Sequence, residues 1–339
     1  MAEIITFGCR LNAFESQIIK EKLEQQDDVI VVNTCAVTSE ASRQCKQKIR
    51  KLRKENPDKK IVVTGCAVQV NPDEFYQMPE VDLVLGNVEK IEIENYIQKT
   101  GEFSSDIFAD YGYDKHIITG FEGKHKAFVQ IQNGCNHFCT YCIIPYARGK
   151  SQSIQEAHII DQINKLVEEG FEEVCLTGVD ICSYEPSLKT LIKNILNQTK
   201  LKKLALGSLD PETIDDEFIS ILDNDRILPY FHLSIQSLDD MVLKRMKRRH
   251  SVASTLDICD KLHKIKDAKI GADFICGFPT ETDEQFANTL SNVKKASIDQ
   301  LHVFPYSIRN GTPAALMPQV NKETIHKRAK ELRDVKELG

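Results

Sequence analysis

The sequence predicts an α/β protein in two parts, an open parallel α/β sheet domain over residues 1–99 and a partial, open (β/α)6 barrel over residues 126–315. Three observations predict it. Short apolar, β-branched runs alternate with longer stretches of helical period in both parts, the pattern of parallel strands covered by crossover helices. Residues 100–125 interrupt the alternation with Gly101, Gly112, Gly120 and Gly123 and no period, which marks a linker. The second part holds six strand–helix units, too few for a closed eight-unit barrel.

Residues 3–7, Glu-Ile-Ile-Thr-Phe, read as a buried strand, and the helix expected over 12–26 carries Phe14, Ile18, Ile19 and Leu23 at helical spacing. A strand over 29–33 and a helix over 39–55 follow, the helix ended by Asn56-Pro57. Strands over 61–64 and 81–85 complete the first sheet. The alternation resumes with a strand over 127–132 and a helix over 154–168 that stops at Gly170. Further strands are expected over 173–177, 203–206, 230–235, 270–276 and 301–305. Thr282 and Gln285 form a capping-box pattern after residues 277–281. Residues 316–339 read as a helical extension.

A chain of 339 residues with 41% hydrophobic content can bury large cores. It has no apolar run long enough to span a bilayer, and Met-Ala-Glu-Ile-Ile lacks the basic start of a signal peptide, so a cytoplasmic protein without membrane contact is expected, as a monomer. Eleven cysteines in such a chain read as metal-binding or catalytic rather than as disulfides. The net charge of −6 argues against gripping nucleic acid by bulk electrostatics, leaving two basic stretches, 46–60 and 244–250, as local candidates for phosphate contact.

Two cysteine sets carry the chemistry. Cys135, Cys139 and Cys142 stand at spacings of three and two residues in one short loop, suited to three irons of a cubane cluster with the fourth left open for a ligand. A zinc knuckle or a closed ferredoxin site needs a fourth nearby ligand, and after Cys142 no Cys or His occurs before His158. Cys9, Cys35 and Cys66 each follow a predicted strand, so a parallel sheet would bring them together at its carboxyl edge, where ligands bind in open α/β folds. Cys45, Cys175, Cys259 and Cys276 read instead as small hydrophobes, and Cys182 as structural. On the same edge of the second part, Gly178, Asp180, Ser208, Gln236 and Glu281 offer close backbone approach and polar groups to a nucleoside-bearing cofactor.

The run Gly-Cys-Asn-His-Phe-Cys-Thr-Tyr-Cys-Ile-Ile-Pro-Tyr-Ala-Arg-Gly resembles the signature of the radical S-adenosylmethionine enzymes. With Phe7-Gly8-Cys9-Arg10-Leu11-Asn12, Asn33-Thr34-Cys35 and Thr64-Gly65-Cys66 before it, the whole chain looks like the methylthiotransferase branch of that superfamily, most like those acting on threonylcarbamoyladenosine in tRNA. The resemblance implies two 4Fe-4S clusters, an auxiliary one on Cys9, Cys35 and Cys66 and a reducing one on Cys135, Cys139 and Cys142, with S-adenosylmethionine on the open iron and Tyr141 near its adenine. It implies a 5′-deoxyadenosyl radical, a tRNA anticodon stem-loop as substrate and a reducing partner such as flavodoxin or ferredoxin. The family's C-terminal TRAM domain is not expected within residues 316–339. Alternatives from the same pattern are a relative acting on isopentenyladenosine in tRNA or on a ribosomal protein, or a catalytically silent iron–sulfur protein that binds RNA.

Overall fold

The computed structural model describes residues 2–97, 100–109, 118–121 and 125–335. The first sheet is fully parallel and takes its strands in chain order: β1 Glu3–Thr6, β2 Val29–Thr34, β3 Lys60–Gly65, β4 Leu83–Leu85 and β5 Gly101–Phe103. β2 is buried throughout and β3 nearly so, as central strands covered on both faces must be. Ile30, Val32, Ile61 and Val63 meet Cys45, Ile49 and Leu52 of the helix Ser39–Glu55 on one face. Val29, Val31, Val62, Leu83 and Leu85 meet Ile19, Leu23 and Tyr96 on the other. β5 falls in the stretch expected as linker: at three residues it is too short to show a period, yet it pairs in register with β4. Of that expected linker, residues 110–117 and 122–124 lie outside the described residues.

The second part contains six parallel strands in chain order, β6 Lys126–Gln130, β9 Glu173–Thr177, β10 Lys203–Leu206, β11 Tyr230–Gln236, β12 Lys269–Cys276 and β13 Gln300–Pro305. They form two three-stranded ladders joined by bridges from Leu204 to Ile227 and from Leu209 to Leu233. Among the described residues β13 does not pair with β6, so the barrel stays open as expected. Between β6 and β9 lies an unanticipated antiparallel pair, β7 Gln132–Asn133 and β8 Gln152–Ser153, which zips the base of the loop carrying Cys135, Cys139 and Cys142. The helix Lys322–Asp334 then folds back, burying Ile325, Ala329 and Leu332.

The helix Arg10–Lys22 belongs to both parts. Ile19 pairs with the first sheet, whereas Phe14 and Ile18 enter the large core of the second part beside Ile118, Ala127 and Val129. A stripe that reads as one face in the sequence is thus two adjoining faces in the fold. No helix among the described residues is long and apolar enough to cross a membrane.

Candidate metal centres

The loop after β7 is held at both ends by glycine. Gly134 has φ +71°, and a Cβ there would collide with the carbonyl oxygen of Lys150; Gly149 has φ +72°. Buried Gln132 spans the loop base: its Nε2 donates to the carbonyls of Asn133 (2.9 Å) and Gly134 (2.7 Å), and its Oε1 accepts from the backbone of Val179 (3.1 Å) and Asp180 (2.8 Å). Thr140 anchors the tip, its N–H donating to the Met246 carbonyl at 3.1 Å and its hydroxyl to the Arg245 carbonyl at 2.8 Å. Burial pushes the Cys135 thiol up to about 11 and that of Cys142 up to about 12. Arg248 donates to Cys139 Sγ at 3.7 Å. Without metal the Cys135 and Cys142 thiols are neutral, and binding has to displace their protons.

His137, inside the loop, lies with Nε2 2.6 Å from Asp180 Oδ2. With Cys135 these two make a group whose ligand atoms all fall within 4.8 Å. That spacing suits a single ion, but His137 and Asp180 already satisfy one another, and Ser183 donates to the same carboxylate.

The other expected residues fall into two groups. Tyr141 packs edge-on against Phe278, with ring centroids 6.4 Å apart, and Gln236 sits at φ +73° where β11 shifts register against β12. Gly178 lies against the Gln132 carbonyl, and Ser208 is exposed. Glu281 is different: its carboxylate is buried, accepting from Gly277 N–H (2.8 Å) and from Arg328 (2.9 Å). It shapes the loop rather than facing outward.

Arg248 and His250 of the stretch 244–250 turn inward, while Lys244, Lys247 and Arg249 stay exposed. Asp210, in the turn after β10, gathers Arg248 (3.4 Å), Arg249 (3.2 Å) and His250 (3.6 Å). Burial alone would raise its carboxyl, yet these neighbours hold it well below the usual carboxylate range. The helix Ser39–Glu55, the other basic stretch, has Lys46, Arg50, Lys51 and Arg53 paired with Glu74, Glu80, Glu55 and Asp82.

The three strand-end cysteines follow β1, β2 and β3, adjacent strands of the first sheet. Cys9 is exposed at the start of the helix Arg10–Lys22, Cys35 is buried after β2, and Cys66 opens the helix Cys66–Val70. Gly8 has φ +100°, and a Cβ there would lie 2.8 Å from Cys35 Sγ. Asn12 ties the strand ends, donating to the carbonyls of Phe7 (2.7 Å) and Thr34 (2.9 Å). Burial, with charge on Cys66 and Cys9 adding to it, pushes the Cys35 thiol up to about 11.

Sequence reasoning misses what lies between the sets. Arg148, the last residue of the helix Ile144–Arg148, is buried and donates through Nε to Cys66 Sγ at 3.1 Å. Its two terminal nitrogens go to the carboxylate of Glu15, one at 2.9 Å, and to Asn12 Oδ1. Lys90, fully buried, donates to Glu15 at 2.7 Å and to Asn87 at 2.6 Å. Two buried cations therefore share one carboxylate. The signal available in the sequence is the arginine of Tyr-Ala-Arg-Gly, quoted as a motif without a task.

Residues 129–293 match the family model of the Radical SAM superfamily, and residues 1–86 that of an uncharacterised protein family, UPF0004. The chain is a radical S-adenosylmethionine enzyme, of a superfamily whose cofactors are a 4Fe-4S cluster and S-adenosylmethionine. Its fold is similar to that of the radical S-adenosylmethionine methyltransferase TsrM from Kitasatospora setae, at TM-score 0.67 and 13% identity, covering 93% of this chain and 77% of that one. It belongs to the methylthiotransferase family. It is 49% identical to the threonylcarbamoyladenosine tRNA methylthiotransferase MtaB of Rickettsia prowazekii, over 98% of this chain and 82% of that protein. With the protein of the same name from Bacillus subtilis it shares 36% identity over 95% of this chain and 78% of that one.

Proposed function

We propose that this chain adds a methylthio group to C2 of N6-threonylcarbamoyladenosine at position 37 of tRNA, in the cytoplasm, on the anticodon stem-loop. The observation that carries the reading is the pair of three-cysteine sites, one at the carboxyl edge of each part, adjoining through Arg148. Residues 1–99 would carry the sulfur-bearing site, 126–315 the radical site, and 316–339 a supporting helical extension.

The residues fit the groups this chemistry needs. Arg248 Nε is buried without a hydrogen-bond partner beside the cysteine loop, as expected where an anionic group is to bind. Around Cys66, the surplus of cationic over carboxylate charge suits thiolates on a negatively charged centre and not three neutral thiols. In the reading, Cys135, Cys139 and Cys142 hold one 4Fe-4S cluster and Cys9, Cys35 and Cys66 a second. When bound, these groups and S-adenosylmethionine supply a reducing electron, a carbon radical able to take hydrogen from an unactivated C–H bond, and a sulfur carrier.

The chain's own residues place and shelter that chemistry. Gln132 and Thr140 fix the loop, Tyr141 and Phe278 wall it with apolar surface, and Gly178 and Gln236 present backbone to the cofactor. Asp180 and Ser208 offer polar contacts; Asp180 also holds the His137 ring. Glu281 acts from within, setting the loop at residues 277–281. The electron would come from a small redox protein such as flavodoxin or ferredoxin.

Nucleoside mass spectrometry of tRNA from cells with and without the gene tests the reading. Loss of the methylthio derivative of threonylcarbamoyladenosine is expected. Loss of the isopentenyladenosine derivative instead, or no change in tRNA, would overturn the substrate.

A further inference from the structure

We propose that Arg148 is a positioning residue for the Cys9, Cys35 and Cys66 site, a hydrogen-bond donor and counter-charge delivered from the second part of the chain, and that it raises the reduction potential of the centre held there. The inference rests on the reading that this site carries an iron–sulfur cluster.

The side chain springs from the helix that follows Cys142, yet its contacts face the other way. Glu15, Asn12 and Cys66 all belong to the first part, and only Asn133 Oδ1, at 3.4 Å, belongs to the second. Glu15 engages both terminal nitrogens and so fixes the guanidinium plane, leaving Nε–H aimed at Cys66 Sγ. Lys90 holds Glu15 from behind, and Asn87 links Lys90 to the same short helix by donating to the Ala147 carbonyl at 2.7 Å. Arg148, Glu15 and Lys90 are all buried, so neither water nor salt screens what they do to the sulfur. A cluster gains negative charge on reduction, and hydrogen bonds to its sulfurs with nearby positive charge favour the reduced state. Arg309 adds a further cation on the Cys35 side, where its Nε is buried without a partner.

A lysine at 148 would keep the charge but not the fork, which separates geometry from charge. The experiment uses the 339-residue chain with Cys135, Cys139 and Cys142 replaced by alanine, anaerobically reconstituted so that iron resides only at the remaining site. Its midpoint potential is read by electron paramagnetic resonance during redox titration, with iron content measured alongside. Arg148→Met is expected to shift the one-electron equilibrium about tenfold toward the oxidised form, a fall of about 59 mV. Arg148→Lys recovers part of this shift. Glu15→Gln, which leaves the guanidinium but removes the competing negative charge, moves the potential upward. Opposite shifts from two members of one buried network are not what a merely structural role produces. Iron retained with an unmoved potential in both Arg148→Met and Glu15→Gln overturns the role of Arg148. If Arg148→Met does not hold iron, Glu15→Gln decides alone: an upward shift supports the role and an unmoved or lower potential overturns it. Absence of iron in the parent with Arg148 intact overturns the two-cluster reading and this inference with it.

Discussion

Arg148 and Asp210 are the residues at which charge is concentrated, both carried by the second part of the chain. Asp210 is buried against Arg248, Arg249 and His250 and is held well below its ordinary range, so the stability it contributes is present above the unfolded carboxylate value of about 4 and is lost as pH falls through that value and below. Asp210→Asn is expected to lower unfolding free energy at pH 7 by about 3 kcal/mol. The difference from the parent should shrink progressively below about pH 4, as the carboxylate of the unfolded chain takes up its proton and the folded one follows only at lower pH. Denaturation midpoints across that range check it; a gap that persists in acid would count against the ionic account. Gly134→Ala tests the cysteine loop, because the new Cβ collides with the Lys150 carbonyl at a φ that disfavours side chains. Iron should drop from about eight to about four per chain, the remainder at the strand-end site. The cysteines themselves are legible in the sequence because spacing and strand-end position are local facts. Arg148 is not: the partners that give it a task, Glu15 and Cys66, are more than eighty residues away.

At the scale of elements, most strands and helices are legible because each carries its own period or punctuation. The helix Ser39–Glu55 keeps the bounds read from the sequence, and the capping box at Thr282 and Gln285 forms in both directions. β5, β7 and β8 escape because two or three residues show no alternation, and their pairing is decided by partners elsewhere. The helix Lys322–Asp334 has a clear task. Arg328 donates to the buried Glu281 carboxylate and carbonyl, both at 2.9 Å, and burial keeps that carboxyl above its ordinary range. Arg328→Ala leaves Glu281 without its cation, and a loss of about 3 kcal/mol is expected from chemical denaturation. A second readout is weaker binding of S-adenosylmethionine, since the loop at residues 277–281 loses its brace.

For the whole molecule, the two parts are legible as parts, but their union is not. Phe14, Ile18, Ile19 and Leu23 read as a single apolar stripe; in the fold Phe14 and Ile18 serve one core while Ile19 and Leu23 serve another. Nothing in helical spacing distinguishes a wide stripe from two abutting ones. The chain should therefore unfold as one body. Phe14→Ala, which removes a side chain only 4% exposed, is expected to cost about 3–5 kcal/mol and to displace a single calorimetric transition. Two transitions, with only the earlier one moved, would show the parts to be independent.

The shared helix Arg10–Lys22 also limits how such a protein can be rearranged. A recombinant that exchanges residues 1–99 for those of a relative imports a helix whose Phe14 and Ile18 positions were fitted to a different β6 surface. The interchangeable block is therefore not the sheet with its own helices but the sheet together with the strand that its first helix covers, and grafts that cut at the intervening stretch should fail unless both sides of that helix travel together.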